Sequence, residues 1–265
     1  KFSGQVRIEK EPKRIISLSP TATEDLFAVG AGENVIAVDD QSNYPSDAPK
    51  SDLSGYTPNV EAILAKQPDL VVVSNDINNV VAGLRAAKVP VLIEPAAKTL
   101  DEAYFQILEL GIATGRDGDS QGLVNEMKAK ITEAQGKIST SEGKKDTFYH
   151  ELDNTYYSVT SDTFLGALYK LAGLTNIADK APGASSGYPQ LSAEYIVKAN
   201  PDFIFLGDTK CCSVSAESIK SRPGFDTLSA VANGKVVELD DDIASRWGPR
   251  TVDLFVQIVD AVTAK

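Results

Sequence analysis

Apolar positions along this chain fall into short continuous runs, separated by longer segments in which they recur every third or fourth residue. Arg14-Ile-Ile-Ser-Leu18 reads as a short buried strand, broken by Ser19-Pro20. Thr21-Ala-Thr-Glu24 has the spacing of a capping box and predicts a helix running to Gly30. A strand is expected over residues 34–38, a short helix over 59–66, a strand over 70–73, a helix over 78–88 and a strand over 89–93. Residues 99–114 place Leu100, Ala103, Tyr104, Ile107 and Leu110 on one helical face. Over residues 119–137 the apolar stripe narrows to Leu123, Met127, Ile131 and Ala134 on a charged, proline-free helix, the pattern of an element that bridges two bodies. Strands are then expected over 146–152 and 156–160, a helix over 163–171, a Gly/Ser/Pro loop over 182–189 and a helix over 192–199. Strands over 203–206 and 235–239 follow, and a helix from Pro249 to Ala264 closes the chain with proline in its first turn. Strands alternating with helices define an α/β chain built on mostly parallel sheets.

The two halves repeat. Asn59-Val-Glu61-Ala-Ile63 through Pro68-Asp69-Leu-Val-Val-Val aligns without gaps on Ser192-Ala-Glu194-Tyr-Ile196 through Pro201-Asp202-Phe-Ile-Phe-Leu, at a constant spacing of 133 positions (59 to 192, 69 to 202). A weaker echo pairs Gly32-Glu-Asn34-Val-Ile36 with Leu174-Thr-Asn176-Ile-Ala178. The expected organisation is therefore an N-terminal lobe over 1–118, a bridging helix and linker over 119–143, and a C-terminal lobe over 144–265.

Charge narrows the function. With 26 basic against 37 acidic residues the net charge is −11, which repels phosphate backbones and excludes nucleic acid as a partner. The densest basic run, Lys144-Lys145, is too small to reverse this. One histidine and two sequence-adjacent cysteines do not make a structural zinc site, so no metal site is expected. No apolar run approaches the ~20 residues of a membrane span. Gly183-Ala-Ser185-Ser-Gly187 matches the pattern of a nucleophile elbow, but it lies in a loop and the histidine precedes it. Gly30-Ala-Gly32 lacks the third glycine of a dinucleotide site. No catalytic residues and no resident cofactor are assigned. The reading from another class is an α/β enzyme with His150 as base and Asp153 or Asp242 as its partner.

Aromatic placement points instead to binding. Tyr44, Tyr56, Tyr149-His150, Tyr156-Tyr157, Tyr188 and Trp247 fall at strand ends or in loops, several at the carboxyl ends of strands where open α/β sheets take ligands. Two such lobes facing one another imply an aromatic-lined cleft suited to a large, partly conjugated ligand. Cys211-Cys212 follows a strand end; in a reducing compartment they are two thiols, and outside the cell they are expected to close a vicinal disulfide.

Arg14-Ile-Ile-Ser-Leu-Ser-Pro-Thr-Ala-Thr-Glu24, Asn43-Tyr-Pro45, Asn59-Val-Glu61, Tyr188-Pro-Gln-Leu-Ser-Ala-Glu194, Arg222-Pro-Gly224 and Arg246-Trp-Gly-Pro-Arg250 together resemble the cobalamin/ferric-siderophore class of ABC-transporter substrate-binding proteins. The resemblance implies two Rossmann-like lobes joined by one long helix, and a monomer that holds its ligand between them and delivers it to a membrane permease. It also implies an extracytoplasmic location, in the periplasm or as a membrane-anchored lipoprotein. The pattern is most similar to the vitamin B12 binders, although Ser74-Asn-Asp76 stands where these commonly have a tryptophan. On this resemblance Tyr44, Tyr56, His150, Tyr156, Tyr188, Asp242, Arg246 and Trp247 contact a cobalamin or related corrinoid, with ferric siderophore or haem as alternatives. Haem-binding relatives make His150 beside Tyr149 a candidate axial ligand. Glu61 and Glu194, at equivalent places in the repeat, are implied to meet arginines on the two permease subunits.

Overall fold

The computed structural model describes residues 6–138 and 146–264. Of the expected linker, residues 139–143 lie outside the described residues. The chain divides into two compact units, one running through Lys128 and including Trp247–Pro249, the other running from Ala129 through Arg246 and from Arg250 onward. The division falls within the segment 119–143 that the sequence sets between the lobes, and Trp247–Pro249 belong to the first unit.

The first unit carries β1 (Ile15–Leu18), α1 (Pro20–Ala28), β2 (Val35–Asp39), β3 (Lys50–Leu53), α2 (Val60–Ala65), β4 (Leu70–Val73), α3 (Val80–Ala86), β5 (Val91–Ile93) and α4 (Leu100–Ala113), and ends within α5 (Asp117–Gln135). Its five strands pair in the order β3-β2-β1-β4-β5, all parallel. Ile16, Leu18, Val71 and Val73 pack with Ile63 of α2 and with Val80, Val81 and Leu84 of α3. The alternate residues Ile15, Leu70 and Val72 are equally buried, so both sheet faces are covered, as a parallel sheet requires.

The second unit carries β6 (Thr147–Glu151), α6 (Phe164–Leu171), β7 (Thr175–Asn176), α7 (Ala193–Ala199), β8 (Phe203–Leu206), α8 (Ala216–Lys220), α9 (Ser229–Ala232), β9 (Val236–Glu238), α10 (Asp241–Ala244) and α11 (Thr251–Thr263). Its strands pair in the order β7-β6-β8-β9, again all parallel. The period-two alternation of β6 serves two cores. Phe148 and His150 meet Tyr169 of α6, while Tyr149 joins Ile196, Ile219 and Phe225 on the opposite face.

The repeat extends further in structure than in sequence. Leu70 pairs with Ile15 and Phe203 with Phe148, so both partners shift by the same 133 positions. The Pro-Asp that ends each repeated helix staples the start of the neighbouring strand. Asp69 accepts from the backbone N–H of Lys13 and Arg14 (2.8 Å each), and Asp202 accepts from the N–H and hydroxyl of Thr147 (2.8 Å each). Asn59 and Ser192 cap the repeated helices, accepting from Ala62 and Tyr195 N–H.

Other expectations are corrected. The cap of α1 is Ser19 with Pro20 opening the helix, and Glu24 is buried within it, so Thr21–Glu24 forms no capping box. Residues 156–160 make no strand; only Tyr157 bridges, to Gln190, because the segment pairs with the loop after β7. Helix α11 starts at Thr251, leaving Pro249 outside its first turn. Leu123 is only half-buried on α5, where Val124 takes the inward position beside Met127, Ile131 and Ala134.

Candidate functional site

In each unit the chain order reverses beside the first strand, between β1 and β4 and between β6 and β8, and ligand-binding loops gather at the carboxyl edge of such a switch point. On the first unit this edge carries Tyr44 and Tyr56, which stay 46% and 72% exposed. Their loops are nonetheless fastened. The Thr23 hydroxyl donates to Ser17 Oγ (2.9 Å) and bonds Ser42 Oγ (2.9 Å), joining β1, α1 and the loop that bears Tyr44. Gly55 lies so close over the end of β1 that a Cβ there would come within 2.7 Å of the Leu18 carbonyl oxygen, so only glycine lets the Tyr56 loop lie down. Ser54 Oγ then accepts from the N–H of Tyr56 and Thr57.

Trp247 belongs to this unit. Its indole N–H donates to Gln106 Oε1 (2.8 Å), and Gln106 donates in turn to the Pro95 carbonyl just past β5 (2.7 Å). The same unit holds two buried carboxyls. Glu94 is pushed up to about 9 by burial and then by Glu109 and Asp25, and Asp25 is raised well above its usual range by burial and then by Glu24. Gly248 passes over Asp25, where an added Cβ would come within 3.2 Å of Oδ1.

On the second unit Tyr188 is 53% exposed, with its N–H bonded to Ser186 Oγ (3.1 Å). Tyr156 has a left-handed backbone (φ 69°). Its ring stacks on Phe225 (centroids 6.0 Å apart), with the Arg222 guanidinium 5.3 Å from its centroid. Arg222 is held by both carboxylate oxygens of the fully buried Glu151, at 2.6 Å each. Sequence reasoning placed Arg222 in a motif but gave it no role; the signal was its position in Arg222-Pro-Gly224. Asp242 meets Arg246 Nη2 (3.3 Å) and Lys210 Nζ (3.0 Å), so two of the expected contact residues pair with each other and Lys210 joins them. Asp208, at the switch point, is raised to about 7 by burial, then by Glu151.

Three site expectations fail. His150 is wholly buried, its Nδ1 2.9 Å from the Tyr169 hydroxyl, and burial lowers it to about 3. It is a neutral core residue, neither an axial ligand nor a general base, because the pleat turns it away from the strand end. Asp153 is spent on its own turn, accepting from the N–H and hydroxyl of Thr155. The vicinal disulfide is not formed: Cys211 and Cys212 are free thiols, and the Cys211 thiol points at the Asp208 carbonyl (3.8 Å). Glu61 and Glu194 are both exposed in the first turn of their helices. Glu194 is lowered by its own backbone N–H and then by the Ser192 hydroxyl. A cavity of about 700 Å³ on the first unit, lined by residues 6–11 with Leu92, Glu109 and Ile112, includes none of the expected site residues.

Two parallel α/β units with fastened aromatic and charged loops at their carboxyl edges define a two-domain binding protein of the α/β class. Residues 15–243 match the sequence profile of the periplasmic binding proteins, and the chain belongs to that family. It is 30% identical to an uncharacterised ABC-transporter substrate-binding lipoprotein, YvrC, of Bacillus subtilis, over 97% of this chain and 82% of that one. It is 28% identical to a cobalamin-binding protein of Halobacterium salinarum, over 97% of this chain and 71% of that one. Among solved structures it is similar to a possible iron-binding, periplasmic solute-binding protein of Staphylococcus epidermidis, at 29% identity and a TM-score of 0.79, covering 96% of this chain and 99% of the other. The protein is thus an extracytoplasmic substrate-binding component of an ABC importer, as the sequence resemblance implied. No helix among the described residues is long and apolar enough to cross a membrane.

Proposed function

We propose that the protein binds a cobalamin or related corrinoid without chemical change and presents it to its importer. The observation that carries this reading is the set of exposed tyrosines, Tyr44, Tyr56 and Tyr188, on loops fixed by hydrogen bonds at the carboxyl edges of both sheets. Solvent-facing rings held in place at such an edge offer flat apolar area with a phenol at the rim, which matches a broad macrocycle carrying amide groups. The relative in Halobacterium salinarum named as a cobalamin-binding protein supports it over nearly the whole chain. Burial of His150 removes the histidine that a haem reading would use, and the commitment of Arg246 to Asp242 weakens an anionic siderophore reading. Asp242, Arg246 and Trp247 supply polar contacts in this reading, and Glu61 and Glu194 dock the protein on the permease.

The test mixes the protein separately with cyanocobalamin, haemin and a ferric siderophore, desalts each mixture and records its visible spectrum. Cyanocobalamin retained at one equivalent, with the ligand recovered intact, is expected. Loss of cyanocobalamin with retention of haemin or the ferric chelate overturns the assignment.

A further inference from the structure

The loop after β8 is tied to α10 more tightly than exposure of its residues suggests. One carboxylate, that of Asp241, accepts from the backbone N–H of Thr209 (2.9 Å), Lys210 (2.8 Å) and Cys211 (2.9 Å) and from the Thr209 hydroxyl (2.8 Å). Lys210 Nζ bonds Asp240 (2.8 Å) and Asp242 (3.0 Å), and Asp242 bonds Arg246. The N–H of Cys212 is used as well, donating to the Asp208 carbonyl (3.2 Å). Two adjacent thiols, one exposed and one half-buried, therefore sit in a loop whose every described amide from 209 to 212 is hydrogen-bonded, one step from the Asp242–Arg246 pair.

Adjacent Cα atoms are about 3.8 Å apart across a trans peptide, whereas a relaxed disulfide spans about 4.4–6.8 Å between Cα atoms. Joining these two sulfurs must twist the peptide between them. That peptide carries the Cys212 N–H and follows the Cys211 N–H, so the bonds to Asp208 and Asp241 cannot both survive. The resulting bond is strained and accessible, the properties of a labile, regulatory disulfide and not of a permanent brace.

We propose that Cys211-Cys212 is a reversible redox-modification site that closes to a vicinal disulfide and thereby releases the Asp241 clamp and reorients Asp242 and Arg246. The oxidant is a disulfide donor, R–S–S–R, of the kind available outside the cytoplasm. The Cys212 sulfur attacks the donor, forming Cys212–S–S–R and expelling one thiolate, which takes up the proton Cys212 loses. The Cys211 sulfur then displaces the second thiol from Cys212 and passes its proton to it. Two protein thiols are oxidised and one donor disulfide is reduced to two thiols. The Cys211 thiol is pushed up to about 12 by partial burial, then by Cys212, Asp241 and Asp208, so it stays protonated near neutrality and uncatalysed closure is slow.

The effect on binding rests on the proposed function, so the experiment reads the loop and the ligand separately. Protein treated with oxidised glutathione at mildly alkaline pH is compared with reduced protein and with the Cys211→Ser/Cys212→Ser variant. Intact mass, free-thiol titration and amide hydrogen exchange over residues 209–211 and 241–246 are followed, together with cyanocobalamin affinity. A monomer lighter by two hydrogens, faster exchange in both segments and binding weakened about tenfold (roughly 1.4 kcal/mol) are expected, all reversed by reductant and absent from the variant. A stable glutathione adduct, a cross-linked dimer, or a closed disulfide with unchanged exchange overturns the proposal. Altered exchange with cyanocobalamin bound by neither form sinks the ligand assignment and leaves the redox site standing.

Discussion

Glu94 and His150 are buried titratable groups that pull stability in opposite directions. Glu94 stays protonated to about 9 in the folded chain, against about 4.5 when unfolded, so its contribution is fully present below pH 4.5 and is lost as pH rises toward 9. Across that window the unfolded chain has released a proton that the folded one keeps. His150 works the other way. Its folded value of about 3 lies below its ordinary 6.5, so its contribution is present above pH 6.5 and falls away as acid approaches pH 3. Replacing Glu94 with Gln keeps the shape and removes the ionisation. Glu94→Gln is expected to raise the thermal midpoint at pH 8 by on the order of 10 °C and to leave it nearly unchanged at pH 4.5, as read by calorimetry at the two pH values. An equal shift at both would exclude ionisation as the cause. Neither environment was legible in the sequence, where Glu94 precedes a proline and His150 sits in a strand. Burial at those positions is decided by segments distant along the chain.

At the scale of elements, a tight side-chain ion pair of the second unit joins the end of β6 to the segment after α8. Glu151 is fully buried and Arg222 partly buried, with two bonds at 2.6 Å and the Tyr149 hydroxyl donating to the same carboxylate (3.1 Å). Breaking such a pair strands a charge, at a cost of about 3–5 kcal/mol, whereas replacing both partners by apolar groups is often tolerated. Arg222→Ala is therefore expected to lose stability on that scale in urea unfolding and to loosen Tyr156, which stacks under the guanidinium. Glu151→Leu combined with Arg222→Met should recover most of the loss; if it does not, the pair adds more than mutual neutralisation. The element boundaries that periodicity reached are those with local causes: Ser192 and Asn59 as caps, Thr99 capping α4, and the apolar runs of β4 and β8. What it missed has non-local causes. The edge strand β3 is the polar Lys50-Ser-Asp-Leu53, paired only on one side, and β7 is two residues long. The Asp69 and Asp202 staples were visible as Pro-Asp repeats, but their partners, Arg14 and Thr147, share no side-chain chemistry to reveal them.

For the whole molecule, the repeat gives each unit an exposed glutamate in the first turn of an equivalent helix. A helix-end role and a docking role both fit the position, and transport separates them. Glu61→Gln with Glu194→Gln is expected to abolish uptake in cells while ligand affinity stays unchanged and the thermal midpoint moves only slightly, because exposed charges act on association and orientation. Uptake at the unsubstituted rate would leave both as helix-end residues alone. The path of the chain carries a different implication, one of timing. Trp247 and Gly248 complete the first unit through Gln106 and Asp25, although the rest of that unit ends at Lys128. At about 5–20 residues added per second, the ribosome needs roughly 6–24 s after Lys128 to supply those last pieces. Throughout that interval the first unit is unfinished, with the Asp25 carboxyl lacking the Gly248 backbone that passes over it. A chain bound for the outside of the cytoplasm thus cannot finish its first unit until about 120 further residues have been made, which leaves export a long opening before folding can close it.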